Sequence, residues 1–307
     1  MEIGVFMPVS GFSASRDTLT ETAQKAEAWE YDAVWTADRL VIPWTIETPY
    51  PYAAGSKFIV PPDRPFLECM TVLSFLAGVT TRIRLGVSVL VMPYRQPLHW
   101  LRIATTIDTL SQGRLILGVG IGWMEEEFAS LGAEFAKRGR IADEQLEVVH
   151  QLLTEEHSTF HGEFYDYDDI AFLPKAFEGD LPIWVGGEAK AARVRAGRYG
   201  DSWFPYFVRM TPSELRARFE DARQAAVDAG RDPEGLSLNC CLPVEITDTD
   251  VPQDHDTLRG TVDQVTEALL GYAAVGVEHI GLQFMVPRYP ERIAQIEAFA
   301  AALPALK

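Results

Sequence analysis

Short, nearly unbroken runs of Val, Ile and Leu alternate along this chain with longer stretches whose apolar residues recur every three or four positions. The clearest unit is Ile83-Arg84-Leu85-Gly86-Val87-Ser88-Val89-Leu90-Val91, then Pro97 to Leu110, then Arg114 to Trp123. A run that continuous leaves no wet face, so it predicts a parallel strand covered on both sides. Between the two runs, Leu98, Leu101, Ala104, Ile107 and Leu110 form one apolar helical stripe, and Gly113 ends it.

The same rhythm extends over the whole chain. Further strands are predicted at Ile3 to Met7, Ala33 to Thr36, Leu181 to Val185, Asp201 to Phe204, Leu236 to Leu242 and His279 to Phe284. Helices are predicted at Thr18 to Trp29 with Asp17 as cap, and at Phe66 to Gly78, Met124 to Leu131 and Arg138 to Leu153. Four more follow at Glu188 to Tyr199, Pro212 to Ala229, Val262 to Val275 and Pro290 to Leu303. Eight strand-then-helix units make an α/β chain with the size and rhythm of a (β/α)8 TIM-like barrel. A doubly wound sheet would carry G-x-G-x-x-G after its first strand, and Ser10-Gly11-Phe12-Ser13 lacks it. No linker or repeat divides residues 1–307, so one domain is expected, with insertions at about 40–65 and 156–180. The second contains a small hairpin around Thr159 to Tyr167.

Composition narrows the partners. The chain is 47% hydrophobic with a net charge of −17, which speaks against nucleic acid and anionic membrane surfaces and for a small molecule. Cys69, Cys240 and Cys241 form neither a disulfide framework nor a metal pattern. With no leader and no twenty-residue apolar run, a cytoplasmic location is expected.

In a barrel, the C-terminal strand ends gather at the active face, which would bring Asp38, Arg39, Val91, Gly120 to Trp123, Gly186 to Glu188 and Phe204 together. Gly118, Gly120 and Gly122 alternate at a strand tip, where they permit either a tight exit or a flat ligand lying against the backbone. The segment from Leu40 to Pro65, with Trp44, Tyr50 and Tyr52, reads as a wall or lid for an apolar or aromatic substrate, or as a surface excursion packed on itself. The acidic run Glu125-Glu126-Glu127 reads as a solvated first helical turn, with a catalytic carboxylate as the alternative. The six histidines show no ligand spacing, so no metal site is expected, and no G-x-S-x-G elbow offers a nucleophile. Glycines, tryptophans, aromatics and one arginine suit a planar cofactor that brings its own chemistry.

Four stretches then carry a resemblance: Val34 to Asp38, Leu85 to Pro97, Ile107 to Leu115 and Leu117 to Trp123. Pro182 to Gly187 and Gly200 to Trp203 extend it nearly end to end. In order and spacing the chain resembles the luciferase-like monooxygenases, and within them the branch that uses the deazaflavin coenzyme F-420. The resemblance implies a barrel with F-420, or alternatively FMN, at the strand ends, and two-electron transfer through the ring's C5 or N5. It also implies a non-prolyl cis peptide at Ser88–Val89 behind the ring.

By this reading Arg39, Trp44 and Trp123 are the catalytic candidates, while Asp38, Ser88, Val89, Gly120, Gly122, Gly186, Gly187 and Glu188 hold the cofactor. The backbone from Gly186 to Lys190 would take the phosphate, helped by the basic cluster Lys190, Arg193, Arg195 and Arg198. Two positions depart from the branch: Arg39 stands where its members often carry His, and Trp123 where some carry a catalytic Glu. Hydride transfer between F-420 and a small organic substrate is the first function expected. An FMN-dependent monooxygenase fed by a partner reductase is the second, and a barrel that only binds flavin is the third. A homodimer is the expected assembly.

Overall fold

The structure, a computed structural model, describes residues 1–52, 57–58, 60–252 and 257–307. Its first half runs β1 (Glu2–Phe6), α1 (Arg16–Ala28), β2 (Ala33–Thr36), α2 (Cys69–Val79), β3 (Arg84–Val91), α3 (Pro97–Ser111), β4 (Leu115–Gly120), α4 (Glu125–Leu131) and α5 (Arg138–Thr154). An antiparallel hairpin, β5 (Ser158–His161) and β6 (Asp166–Ile170), precedes β7 (Ile183–Val185), α6 (Lys190–Tyr199), β8 (Ser202–Trp203) and α7 (Pro212–Asp228). The chain ends with β9 (Ser237–Ile246), β10 (Leu258–Gly260), α8 (Val262–Ala273), β11 (Val277–Phe284), α9 (Tyr289–Ala300) and α10 (Leu303–Leu306).

Parallel pairing runs β9-β11-β1-β2-β3-β4-β7-β8, and β8 pairs back onto β9, which closes an eight-stranded barrel. The eight predicted strands are these eight. β10 adds to the edge of β9 near its C-terminal end, an extension the periodicity did not reveal. Among the described residues no helix is long and apolar enough to cross a membrane.

Helix starts shift where caps compete. α1 begins at Arg16 because the Ser15 hydroxyl accepts from the Thr18 amide, which leaves Asp17 inside the first turn rather than at the cap. α2 begins at Cys69 under the Glu68 carboxylate, since Leu67 is still extended and bonded to the Val9 carbonyl. α3 ends as expected, with Gln112 at φ 58° and Gly113 at φ 78°.

The barrel interior is a plug of Phe6, Trp35, Ile116, Trp184, Phe204 and Cys241. An indole N–H can only donate, so the 3.1 Å contact from Trp35 Nε1 makes His279 Nε2 the acceptor and puts its proton on Nδ1, 3.0 Å from Glu2. Burial holds that imidazole neutral by lowering its pKa. With the bore filled, a ligand has room only above the plug, at the C-terminal strand ends. There the Ser88–Val89 peptide is cis, at the point where the β3–β4 register shifts between Val87 and Leu90.

Candidate functional site

A cavity of about 540 Å³ opens over the C-terminal ends of the strands. Gly120, Gly122, Ser88, Val89 and Trp123 line one side of it, and Gly186 to Ala189 line another. The glycine pattern at the tip of β4 has a packing cause. A Cβ on Gly118 would collide with the Val87 carbonyl, and one on Gly120 with the Val89 side chain, so the two strands approach only without side chains there. Gly122 turns the chain at φ 76°, toward the first turn of α4. Gly186 is likewise set by packing, because a Cβ there would lie 2.6 Å from Val89 Cγ1.

Beyond Gly187, at φ 100°, α6 starts at Lys190 rather than Glu188, and Ala189 at its N-cap offers no side-chain acceptor. The first amides of this ten-residue helix therefore face the cavity rim without a cap, a site suited to an anion. The basic side chains of the helix contribute less than their number suggested. Arg193 is bonded to Asp221 and to the Glu188 carbonyl, Arg195 is bonded to Asp143, and Arg198 lies over the Tyr199 ring. The main chain and the exposed Lys190 at the helix start are what remain to bind. Glu188 lines the cavity, and burial raises its carboxyl pKa against the opposing pull of Arg218, Arg209 and Arg193.

On the other side, Arg39 is only 8% exposed and pairs with Glu127, which is fully buried. Glu127 Oε2 also accepts from the Tyr94 hydroxyl at 2.8 Å, and Oε1 from the amides of Leu40 and Val41 at 2.9 and 3.3 Å. Glu126 accepts the amides of Glu47 and Thr48, so the first turn of α4 ties down the loop that follows β2. This corrects the reading of the acidic run as solvated, since only Glu125 is exposed. The three carboxylates follow one another in sequence, and nothing local marks which of them turns inward. The Arg39 guanidinium sits 4.9 Å from the Trp123 ring centre and 5.0 Å from that of Phe58.

Asp38 lines the cavity, but both its oxygens are spent on Arg95, at 2.7 and 2.8 Å, and one also accepts the Val91 amide at 2.9 Å. It fastens the exit of β2 to β3. Asp38, Glu68 and Cys69 are the one metal-like cluster among the described residues, yet the Arg95 guanidinium already bridges its two carboxylates.

Of the predicted site residues, Asp38, Arg39, Ser88, Val89, Gly120, Gly122, Trp123, Gly186, Gly187 and Glu188 all line this cavity. Trp44 does not. It is 81% exposed, in the stretch between the two points at which the carboxylates of α4 hold the loop, residues 40–41 and 47–48. The aromatic wall is built instead by Tyr50, Tyr52, Phe58, Trp123 and Tyr206, with Tyr50 5.0 Å from Trp123 and Tyr52 5.3 Å from Tyr206. The described loop divides between the two expectations, with Tyr50 to Tyr52, Phe58 and Val60 lining the cavity and Leu40, Val41 and Trp44 exposed; residues 53–56 and 59, and also His255, lie outside the described residues. None of the five described histidines lines the cavity. Sequence reasoning missed Tyr206, Gln283 and Arg292, for which no motif gives a signal, and read Glu127 as part of a solvated run.

A profile of the family described as luciferase-like monooxygenase matches residues 1–251. An uncharacterized protein of Mycobacterium tuberculosis is 36% identical over 181 residues, a match that spans 59% of this chain and 62% of that relative. A phthiodiolone/phenolphthiodiolone dimycocerosates ketoreductase of Mycobacterium tuberculosis is 29% identical over 289 residues, covering 89% of this chain and 74% of that one. Among solved structures, an F-420-dependent secondary alcohol dehydrogenase in complex with an F-420–acetone adduct superposes with a TM-score of 0.81 at 18% identity, over 100% of this chain and 99% of the other. The profile match over most of the chain, on a closed barrel with its cavity at the strand ends, shows that this protein belongs to the luciferase-like monooxygenase family.

Proposed function

We propose that this protein is an oxidoreductase that exchanges hydride between coenzyme F-420 and a small organic alcohol or carbonyl compound. The observation that carries the reading is the uncapped N-terminus of α6 opening onto the same cavity as the glycine tip of β4 and the aromatic wall. That combination fits a flat ring with an anionic tail. The alcohol and carbonyl chemistry in the names of two similar proteins supports the choice of substrate class.

The bound deazaflavin would supply the hydride chemistry itself. The residues of this chain bind and orient. The amides at the start of α6 would hold the phosphate, and Val89 and Gly120, which line the cavity, would back the ring. Arg39 replaces the histidine usual in this branch and cannot exchange a proton near neutral pH. It uses one arm on Glu127, which leaves the rest of the fork to hold a substrate oxygen and stabilise negative charge on it. The hydroxyls of Tyr50, Tyr52 and Tyr206 are kept protonated by burial and stand in the wall as the proton-bearing groups.

The second reading, an FMN-dependent monooxygenase served by a reductase, draws on the family match. Anaerobic optical titration of the purified protein with F-420 and with FMN separates the two. Saturable binding with at least about a tenfold preference for F-420 is expected. Saturation by FMN alone would transfer the assignment to the monooxygenase, and saturation by neither would overturn both.

A further inference from the structure

Besides Arg39 and Arg195, a third arginine reaches the cavity, from the β11 side. Arg292, in the first turns of α9, lines it together with Met7, Val9, Phe284 and Val286, which are all buried and apolar. Its Nε donates to the Val286 carbonyl at 3.0 Å, and among the described residues the guanidinium has no carboxylate partner. The nearest acid in sequence, Glu291, is paired with Arg288 instead. Of the three arginines that line the cavity, Arg39 and Arg195 are paired with Glu127 and Asp143, whereas among the described residues Arg292 has no acid. Burial pulls its pKa down with no opposing charge recorded, in contrast to Arg95, which Asp38 holds firmly protonated.

We propose that Arg292 binds the carboxylate of an otherwise apolar substrate, so that this oxidoreductase acts on an amphiphilic acid. The inference rests on the functional reading above and gives it a substrate class. Around the barrel, β11 lies beside β1 and two strands from β2, which carries Arg39 at its exit. It lies three strands from β7, whose turn leads to α6. The two arginines therefore flank the apolar sector of the cavity, and the phosphate site stands apart from Arg292. A substrate spanning them places its reacting oxygen at Arg39, its hydrocarbon along Met7, Val9 and Phe284, and its carboxylate on Arg292. The guanidinium fork matches that planar anion with two parallel bonds. The start of α9, whose cap position Arg288 provides no side-chain acceptor, adds favourable field.

The test is calorimetric titration of the purified protein, with and without saturating cofactor, using decanoate and decanol as probes. Decanoate is expected to bind at least about tenfold more tightly than decanol, and Arg292→Gln is expected to abolish that preference while leaving decanol binding in place. Arg292→Lys should retain part of it, which guards against a folding defect in the Gln variant. Equal binding of the two probes to the unaltered protein would overturn the proposal. So would an Arg292→Gln protein that keeps its decanoate preference but loses affinity for F-420, since the arginine would then serve the carboxylate-bearing tail of the cofactor. The probes are read without turnover, so failure of the F-420 assignment shows in the cofactor titration and not here.

Discussion

The cavity has two arcs of opposite electrostatic character. From β2 to β4 the charges that shape the site are paired, Arg39 with Glu127 and Asp38 with Arg95, and the loop amides at residues 40, 41, 47 and 48 are taken by the carboxylates of α4, although one oxygen of Glu126 stays buried and unpartnered. From β7 round to β11 two donor groups stand open, the uncapped start of α6 and, among the described residues, the guanidinium of Arg292, while Arg193 and Arg195 are paired. A buried charge with its partner holds structure, whereas an open donor costs the folded state and is worth keeping where a ligand completes it. The closed arc thus shapes the site, and the open arc is where the proposed reading puts the anionic parts of ligands.

The largest effect should come from breaking the closed arc. Glu127→Ala strands Arg39 without its counter-charge and frees the loop amides, and should cost about 3–5 kcal/mol of stability, read by denaturant unfolding. A loss below about 1 kcal/mol would mean that the arc is not held by this pair. Arg39→Ala strands Glu127 in the same way, so its loss of turnover would mix chemistry with folding.

Next in size is Ala189→Asp, which supplies the missing cap of α6 from within the chain and places a negative charge where the phosphate is proposed to sit. Cofactor affinity should fall at least tenfold, about 1.4 kcal/mol, while the melting temperature holds or rises. Gly186→Val is a poorer test, because it collides with Val89 whether or not a phosphate is near. An Ala189→Asp protein with full cofactor affinity would move the anion site away from α6.

The smallest effect sharpens the contrast between the two arginines. Arg292→Gln removes a charge that nothing in the described structure balances, so the unliganded protein should change by no more than about 0.5 kcal/mol, or gain stability. A loss like that expected for Glu127→Ala would show that Arg292 belongs to the closed arc after all.

Local periodicity was enough to determine the barrel. Each buried strand announces itself as a continuous apolar run and each helix by its stripe, because the pleat and the helical turn repeat over neighbouring residues. The strand-end glycines and the Gly186–Gly187 turn were legible for the same reason, and barrel topology alone gathers them at one face. Charge pairing was not legible. Arg39 meets Glu127 across 88 positions, and Asp38 meets Arg95 across 57. Three successive glutamates look alike until the fold buries one, caps a loop with the second and leaves the third in water. Trp44 and Arg292 carry the same lesson in opposite directions: the folded loop leaves the tryptophan exposed, and the packing of α9 beside β11 brings the arginine to the cavity. Which side chain faces the ligand depends on long-range contacts, and those exist only once the barrel has closed.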